Sequence, residues 1–283
     1  MEKGKTSRTA EAAAAQRAIH QLFDDEPKIL VDPIAPKIVD VDGDPYKFAV
    51  AARDHPNMKL LRSNMVLRSR YTEDCLAEAV QRRVRQYLIL GAGLDTFAYR
   101  QPPWGRSLHI FEVDHPLTQE SKKERLAAAA ISVPANLTFA PIDFQSVSLS
   151  DGLRAYGFDL AATTFCSWLG VTVYLTEEAI DTTFEFIARL PRGTEIVFTY
   201  IPPLETLSGV DAEVMAFASQ SGASVGEPWI SFFLPAQLET RLRRIGFCEV
   251  FDLPPEEAQE KYFKGCRGGL GAPPSVRLMR AIV

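Results

Sequence analysis

Short apolar runs alternate with longer amphipathic stretches from Tyr87 to the carboxyl terminus. The apolar runs predict strands at Tyr87–Leu90, Leu108–Val113, Leu137–Ala140, Leu160–Phe165, Glu195–Tyr200, Cys248–Phe251 and Ser275–Val283. The stretches between them predict helices at Thr118–Ala130, Thr176–Leu190 and Pro235–Ile245. Strands that alternate with helices are typical of an α/β fold, in which helices cover both faces of a mostly parallel sheet.

The first 85 residues have a different pattern, with helical and irregular stretches and no clear strand. An Ala-rich segment predicts a helix at Ala10–Phe23. Prolines keep any helices after it short, at positions 27, 33, 36, 45 and 56. Thr72, followed by two acidic residues, predicts the start of a helix that runs to about Arg85. We therefore divide the chain into a helical lid region (1–85) and a core (86–283), with an inserted lid segment near 204–230.

The junction after the first strand carries the most informative chemistry. The strand enters a Gly-Ala-Gly turn, Gly91-Ala92-Gly93, and the next strand ends on Asp114, which lies 21 positions after Gly93. Glycines allow the backbone to turn tightly and approach a ligand. A carboxylate about 20 residues later lies at the tip of the adjacent strand, where it can accept hydrogen bonds from ribose hydroxyls. This βαβ unit is typical of a nucleotide-cofactor site, in which Glu112 is a second carboxylate.

The spacing of the glycines bears on the identity of the cofactor. A dinucleotide site has the pattern Gly-x-Gly-x-x-Gly, but Thr96 stands where the third glycine is expected. S-adenosylmethionine has no pyrophosphate, so two glycines can suffice for it. The residues favour S-adenosylmethionine and leave a nicotinamide cofactor as the alternative.

Further candidates follow from their places relative to the predicted strands. Asp143 ends the third strand, where it can accept from an adenine amino group while Phe144 covers the ring. Arg68 and Arg70 precede the first strand and are candidates for binding a cofactor carboxylate. They are two positions apart, so their side chains would point in different directions on a helix and in the same direction on an extended segment. Tyr200 ends the fifth strand and is a catalytic candidate on the substrate side.

Composition narrows the class of protein. The 283 residues carry a net charge of −5 and no long basic run, so nucleic acid is not an expected partner. No apolar stretch reaches the ~18 residues of a membrane span, and the amino terminus lacks a signal-peptide core. Four widely spaced cysteines indicate neither a disulfide framework nor a metal site. We expect a cytoplasmic enzyme that is a monomer or weak homo-oligomer.

Several segments together resemble the leucine carboxyl methyltransferase family, and most closely its bacterial branch of S-adenosylmethionine-dependent O-methyltransferases. The segments that carry the resemblance are Leu90–Arg100 (LGAGLDTFAYR), Phe111–Pro116 (FEVDHP), Leu67–Asp74 (LRSRYTED) and Phe165–Thr176 (FCSWLGVTVYLT). A fainter likeness extends to the amino-terminal segment Ser7–Ala10 with Arg17–Ala18.

The resemblance implies a class I methyltransferase fold, which is Rossmann-like with seven strands, and S-adenosyl-L-methionine as the cofactor. It favours Arg68 for the cofactor carboxylate and Asp114 for the ribose. Several relatives carry a glutamate after the fourth strand, where this chain has Leu169 or Gly170. We expect O-methylation of a carboxylate or hydroxyl on a small molecule or peptide. The alternatives are an NAD(P)-dependent oxidoreductase and a non-catalytic protein that binds S-adenosylmethionine.

Overall fold

The computed structural model of the chain describes residues 7–142 and 148–283. Within them the strands are β1 (Gln86–Leu90), β2 (His109–Asp114), β3 (Leu137–Pro141), β4 (Thr164–Trp168), β5 (Glu195–Tyr200), β6 (Glu249–Asp252) and β7 (Arg277–Ile282). They form one sheet in the order β3-β2-β1-β4-β5-β7-β6. The first five strands are parallel, and β7 runs antiparallel to both β5 and β6. The predicted fold class is confirmed.

Helices surround this sheet and also precede it. In chain order they are α1 (Arg8–Phe23), α2 (Ala35–Ile38), α3 (Asp44–Ala51), α4 (Pro56–Gln81), α5 (Pro116–Ala128), α6 (Leu149–Ala155), α7 (Glu177–Ala188), α8 (Gly209–Ser224), α9 (Pro235–Ile245) and α10 (Pro255–Ala258). The predictions for α1, α5, α7 and α9 agree with the structure to within about two residues. At α1 the Ser7 hydroxyl accepts a hydrogen bond from the Ala10 backbone amide, which caps the Ala-rich segment.

Both ends of α4 and the start of β4 differ from the prediction, and the helix expected to run to about Arg85 ends at Gln81. Thr72 does not begin a helix but lies inside α4, where its hydroxyl donates to the Arg68 carbonyl at 2.7 Å. The helix begins instead at Pro56, because proline suits the first turn and the His55 ring accepts from the Asn57 amide. Strand β4 begins at Thr164 rather than at residue 160, because the Asp159 carboxylate accepts from the Ala161 amide and forms a turn.

The sheet separates two hydrophobic cores because successive side chains of a strand point to opposite faces. From β1, Tyr87 and Ile89 enter the core that includes Leu76 of α4. Leu88 and Leu90 enter the opposite core, which contains residues of α6, α7 and α9. Helix α1 packs against α2, α3 and α4, and α4 also contacts α8. Parts of α1, α3, α4 and α8 meet at the carboxyl ends of the parallel strands. The division of the chain at residue 85 stays a prediction.

Candidate active site

A cavity of about 590 Å³ lies where the carboxyl ends of β1, β2, β4 and β5 meet α1, α4 and α8. Its volume is in the range of about 300–1,000 Å³ that is usual for small-molecule sites. The position agrees with the general rule that open α/β sheets bind ligands beyond the carboxyl ends of their strands.

The turn after β1 forms one end of the cavity. Gly91 and Gly93 have φ angles of 65° and 47°, a region that side chains with a Cβ rarely adopt. A Cβ on Gly91 would lie 2.5 Å from Cγ2 of Val171, so a larger residue would displace the loop after β4. The Ala92 amide donates to the Val113 carbonyl at 3.0 Å and holds the turn against β2. The sequence therefore needs glycine here for both conformation and space.

Asp114 lies at the tip of β2, beside this turn and facing the cavity. Its carboxylate accepts two backbone hydrogen bonds, from the Gly93 amide at 2.5 Å and from the His115 amide at 2.7 Å. Burial raises the pKa of Asp114, although both amides and the nearby Lys122 act in the opposite direction. Each oxygen keeps a second lone pair, so the carboxylate can still accept hydrogen bonds from a ligand.

Glu112 has a different environment, although it lies only two residues before Asp114. Its carboxylate pairs with the Lys122 ammonium at 2.7 Å, and both side chains are fully buried. Burial raises the pKa of Glu112 to about 7 despite the attraction of Lys122. Glu112 does not line the cavity, so the structure does not bring it to the ligand side of the strand.

Arg68 and Arg70 lie on α4, and the helix separates them. Arg68 lines the cavity, and its guanidinium is so close to Gly170 that a Cβ there would lie 2.5 Å from Nη1. Arg70 is exposed and forms an ion pair with Asp74 at 3.0 Å. The structure therefore does not bring Arg70 to the cavity, because residues two apart on a helix face different directions.

The guanidinium of Arg68 forms no hydrogen bond or ion pair with any of the residues that the structure describes. Burial lowers the pKa of Arg68 to about 10, helped by the positive charge of Arg17, so the side chain stays protonated at neutral pH. Tyr174 and Asp95 act in the opposite direction and favour the charged form. The Arg68 guanidinium is well placed to bind an anionic group of a ligand in the cavity.

Three other predicted site residues have different outcomes. Asp143 and Phe144 lie outside the residues that the structure describes. The Tyr200 hydroxyl donates to the Asp252 carboxylate at 2.9 Å, and Asp252 also pairs with Arg277. Burial and Asp252 raise the pKa of Tyr200. Tyr200 lines the cavity and its hydroxyl is engaged with Asp252 of β6, and its catalytic role stays a prediction.

The sequence did not reveal a buried ionic network beneath the glycine turn. Asp32 is fully buried and lies 3.3 Å from Nε of Arg17 and 3.4 Å from Nε of Arg100. The Thr96 hydroxyl donates to Asp32 at 2.7 Å, and Arg17 also donates to the Leu94 carbonyl at 2.5 Å. The residue in the place of the third glycine thus joins the turn to the lid region. An unexpected polar residue at position 96 was the only signal of this network.

Histidines and metal ligands are not part of the site as described. No histidine is among the described residues that line the cavity. The described part of the chain contains no cluster of His, Cys, Asp or Glu that could hold a metal ion. None of its helices is long and apolar enough to cross a membrane.

Comparisons with known proteins agree with this geometry. The profile of the family described as Leucine carboxyl methyltransferase matches residues 10–188. YktD of Bacillus subtilis (strain 168), which carries the name of an S-adenosyl-L-methionine-dependent methyltransferase, is 36% identical over 217 residues, or 76% of this chain and 71% of YktD. A relative with the same kind of name from Mycolicibacterium smegmatis is 34% identical over 216 residues, or 71% of this chain and 68% of the relative.

Solved structures show the same fold. A DUF574 family protein from Streptomyces avermitilis superposes with a TM-score of 0.59 at 15% identity, covering 98% of this chain and 97% of that one. A protein from Thermobifida fusca YX, described as a methyltransferase, gives a TM-score of 0.56 at 15% identity over 95% and 93% of the two chains. The family match, the relatives and the shared fold show that this chain belongs to the leucine carboxyl methyltransferase family of S-adenosyl-L-methionine-dependent methyltransferases.

Proposed function

We propose that this methyltransferase transfers the methyl group to an oxygen atom, and most readily to the carboxylate of a small molecule. The observation that carries the proposal is the unpaired Arg68 guanidinium, which shares a cavity with the Gly91–Gly93 turn and the Asp114 carboxylate. S-adenosyl-L-methionine has an amino-acid carboxylate at one end and a ribose with two hydroxyls near the other. The three features match the needs of this cofactor.

In this assignment Arg68 would bind the cofactor carboxylate, because its planar guanidinium can donate two parallel hydrogen bonds. The free lone pairs of Asp114 would accept hydrogen bonds from the ribose hydroxyls. The Gly91-Ala92-Gly93 backbone would approach the amino-acid part without obstruction by side chains. Asp143 and Phe144, which we predict at the adenine ring, complete the assignment from the sequence side.

The bound cofactor supplies an activated methyl group on its positively charged sulfonium. The chain must hold the acceptor oxygen in line with that methyl group and exclude water. Correct positioning of this kind can lower a barrier by about 7–11 kcal/mol in favourable cases. The lid helices α1 and α8, which line the cavity, suit this task.

The absence of a histidine among the described residues of the cavity supports a carboxylate as the acceptor. The carboxylates of Asp95, Asp114 and Glu227 line it, and each accepts a hydrogen bond from a backbone amide. No histidine stands beside them. A carboxylate acceptor is already ionised at neutral pH and needs no general base, whereas an alcohol or phenol is helped by one. A carboxylate would also be attracted by the sulfonium charge.

The test is transfer of a radiolabelled methyl group from S-adenosyl-L-methionine to a panel of carboxylic acids, phenols and alcohols. A methyl ester releases labelled methanol in mild base, whereas a methyl ether or methylamine keeps its label. Base-labile product supports carboxyl methylation, and base-stable ether supports the hydroxyl alternative. Label on nitrogen or carbon would refute O-methylation. Tight S-adenosylhomocysteine binding without transfer to any acceptor would favour the non-catalytic alternative.

A further inference from the structure

The cavity is wider than the part assigned to the cofactor. It spans the carboxyl ends of four neighbouring strands in the order β2-β1-β4-β5, and at about 4.8 Å per strand β5 lies roughly 14 Å from β2. The proposed cofactor residues lie on β2 and after β1, and Arg68 packs against Gly170 after β4. The end of the cavity beyond β5, where α8 contacts α4, is therefore left for the acceptor. We call it the acceptor chamber, and it is lined by Leu61, Val173, Ile201, Met215, Ala218 and Ile230.

Polar groups at the β5 end of the cavity are paired within the protein. The Thr199 hydroxyl accepts a hydrogen bond from the Gly170 amide at 2.7 Å, and the Thr172 hydroxyl donates to the Thr199 carbonyl at 2.7 Å. The Tyr200 hydroxyl is engaged with Asp252. Because these groups already have partners, the chamber offers a ligand mainly apolar surface.

Apolar side chains from several elements form this surface. Helix α8 contributes Met215, Ala218 and Val225, whose separations of three and seven residues place them on one face of the helix. Leu61 of α4 and Ile201 at the end of β5 line the chamber from other sides. Small-molecule pockets are lined mostly by such residues, and each methylene group that a ligand buries against them favours binding.

The rim of the cavity exposes large apolar side chains to water. Phe48 of α3, Phe217 of α8 and Ile230 line the cavity and are 52%, 43% and 51% exposed. The two phenylalanine rings stack with their centroids 6.2 Å apart. Apolar patches at the surface are typical of ligand-binding grooves. A ligand with an apolar body would cover these side chains when it binds.

Cations are absent from the interior of the acceptor chamber as the structure describes it. The described cations that line the cavity are Arg8, Arg17 and Arg68. Arg68 is assigned to the cofactor, Arg17 is paired with Asp32 beneath the glycine turn, and Arg8 is exposed in the first turn of α1. Glu227 adds a negative charge to the lining. A second anionic group on a ligand would therefore lose its water without gaining a buried partner among the described residues.

We propose that the methyl acceptor is a monocarboxylic acid with an apolar body, which fills the acceptor chamber while its carboxylate receives the methyl group. This inference rests on the proposed function, since it takes a carboxylate as the methylated group and assigns Arg68 to the cofactor. A carboxylate oxygen forms the new bond to the methyl carbon as the carbon–sulfur bond breaks. The electron pair stays on sulfur and no proton is transferred. Ile201, Met215 and Ala218 are then specificity-determining residues.

The experiment measures how affinity depends on the length and charge of the acceptor. Hexanoic, octanoic, decanoic and dodecanoic acids, below their micelle concentrations, are titrated by calorimetry into the full-length protein in complex with S-adenosylhomocysteine. We expect Kd to fall about fourfold for each added methylene group until the chamber is filled. Octanedioic acid should bind at least about tenfold more weakly than octanoic acid, because its second carboxylate has no cation inside the chamber.

Two variants of α8 test the position of the chamber. Ala218→Phe fills part of it, because Ala218 lines the cavity, whereas Ala216→Phe makes the same change at an exposed position that does not line it. Ala218→Phe should weaken the binding of dodecanoic acid at least about tenfold, the scale of several displaced methylene groups, and keep the affinity for S-adenosylhomocysteine within about twofold. Ala216→Phe should change neither affinity.

Four results would overturn the inference. They are no binding of any acid, a Kd that does not depend on chain length, equal binding of octanoic and octanedioic acids, and equal effects of the two variants. Loss of S-adenosylhomocysteine affinity in Ala218→Phe would assign this face of α8 to the cofactor and would also overturn it.

Methyl transfer from labelled S-adenosyl-L-methionine separates this inference from the proposed function. Length-dependent binding of the acids without any transfer would support the apolar acceptor chamber and refute carboxyl methylation. Transfer with a kcat/KM that does not depend on chain length would support carboxyl methylation and refute the apolar chamber.

Discussion

Replacement of Arg68 by methionine tests the assignment of the cofactor carboxylate most directly. The side chain lines the cavity, is protonated at neutral pH and has no partner among the described residues, so its interaction with a ligand carboxylate would be fully realised on binding. A hydrogen bond to a charged group contributes about 1.5–3 kcal/mol. Arg68→Met should therefore weaken S-adenosylhomocysteine binding roughly 10- to 150-fold, measured by titration calorimetry.

Arg70→Met is the matched control, because it removes the same charge two residues away on the exposed side of α4. An exposed ion pair contributes at most about 1 kcal/mol to stability, and Arg70 does not line the cavity, so cofactor affinity should not change. The ligand-free Arg68→Met protein should unfold at a urea concentration close to that of the wild type, because Arg68 forms no hydrogen bond or ion pair with the described residues. Equal affinity losses in both variants, or none in Arg68→Met, would refute the reasoning.

Three further predictions concern Asp114, Lys122 and Asp32. Asp114→Ala should weaken S-adenosylhomocysteine binding by roughly 10- to 100-fold, and unchanged affinity in calorimetry would remove Asp114 from the site. Lys122→Met should lower the free energy of unfolding by about 3–5 kcal/mol because it leaves Glu112 buried and unpaired. In urea denaturation the double variant Glu112→Leu/Lys122→Met should recover most of the lost stability. If it recovers none, the two residues are not coupled as a buried pair. Burial disfavours the charged form of Asp32, but Arg100 and Arg17 outweigh it and lower its pKa. The resulting stability is present above the ordinary aspartate pKa of about 4 and is lost as the pH falls through the lowered value. Asp32→Asn should therefore be less stable than the wild type at neutral pH, with a gap that narrows in strong acid; a gap that widens there would show the opposite sign.

Much of the sheet and one end of the site could be predicted from local patterns. The alternation of apolar runs and amphipathic stretches predicted the order of strands and helices along the chain. The spacing of Gly91, Gly93 and Asp114 predicted the cofactor turn and the carboxylate beside it. These features are local. A tight turn needs glycine wherever it occurs, and a carboxylate at the end of a parallel strand lies at the edge of the sheet where ligands bind. The predicted start of α4 was wrong, because Thr72 and the two acidic residues after it resemble the first turn of a helix.

The sequence by itself determined the fold class, the family and the chemistry of the cofactor turn, because these depend on residues close together in the chain. The resemblance favoured Arg68 over Arg70, and the structure adds the physical reason, since α4 directs Arg68 to the cavity and Arg70 to the surface. Tertiary contacts likewise engaged Glu112 with Lys122 and the Tyr200 hydroxyl with Asp252. They also brought Phe48 and Phe217, from two separate helices, to one cavity. Whether a polar group is paired depends on every residue near it in space. Most of those residues are distant in the sequence, so no local pattern predicts the pairing.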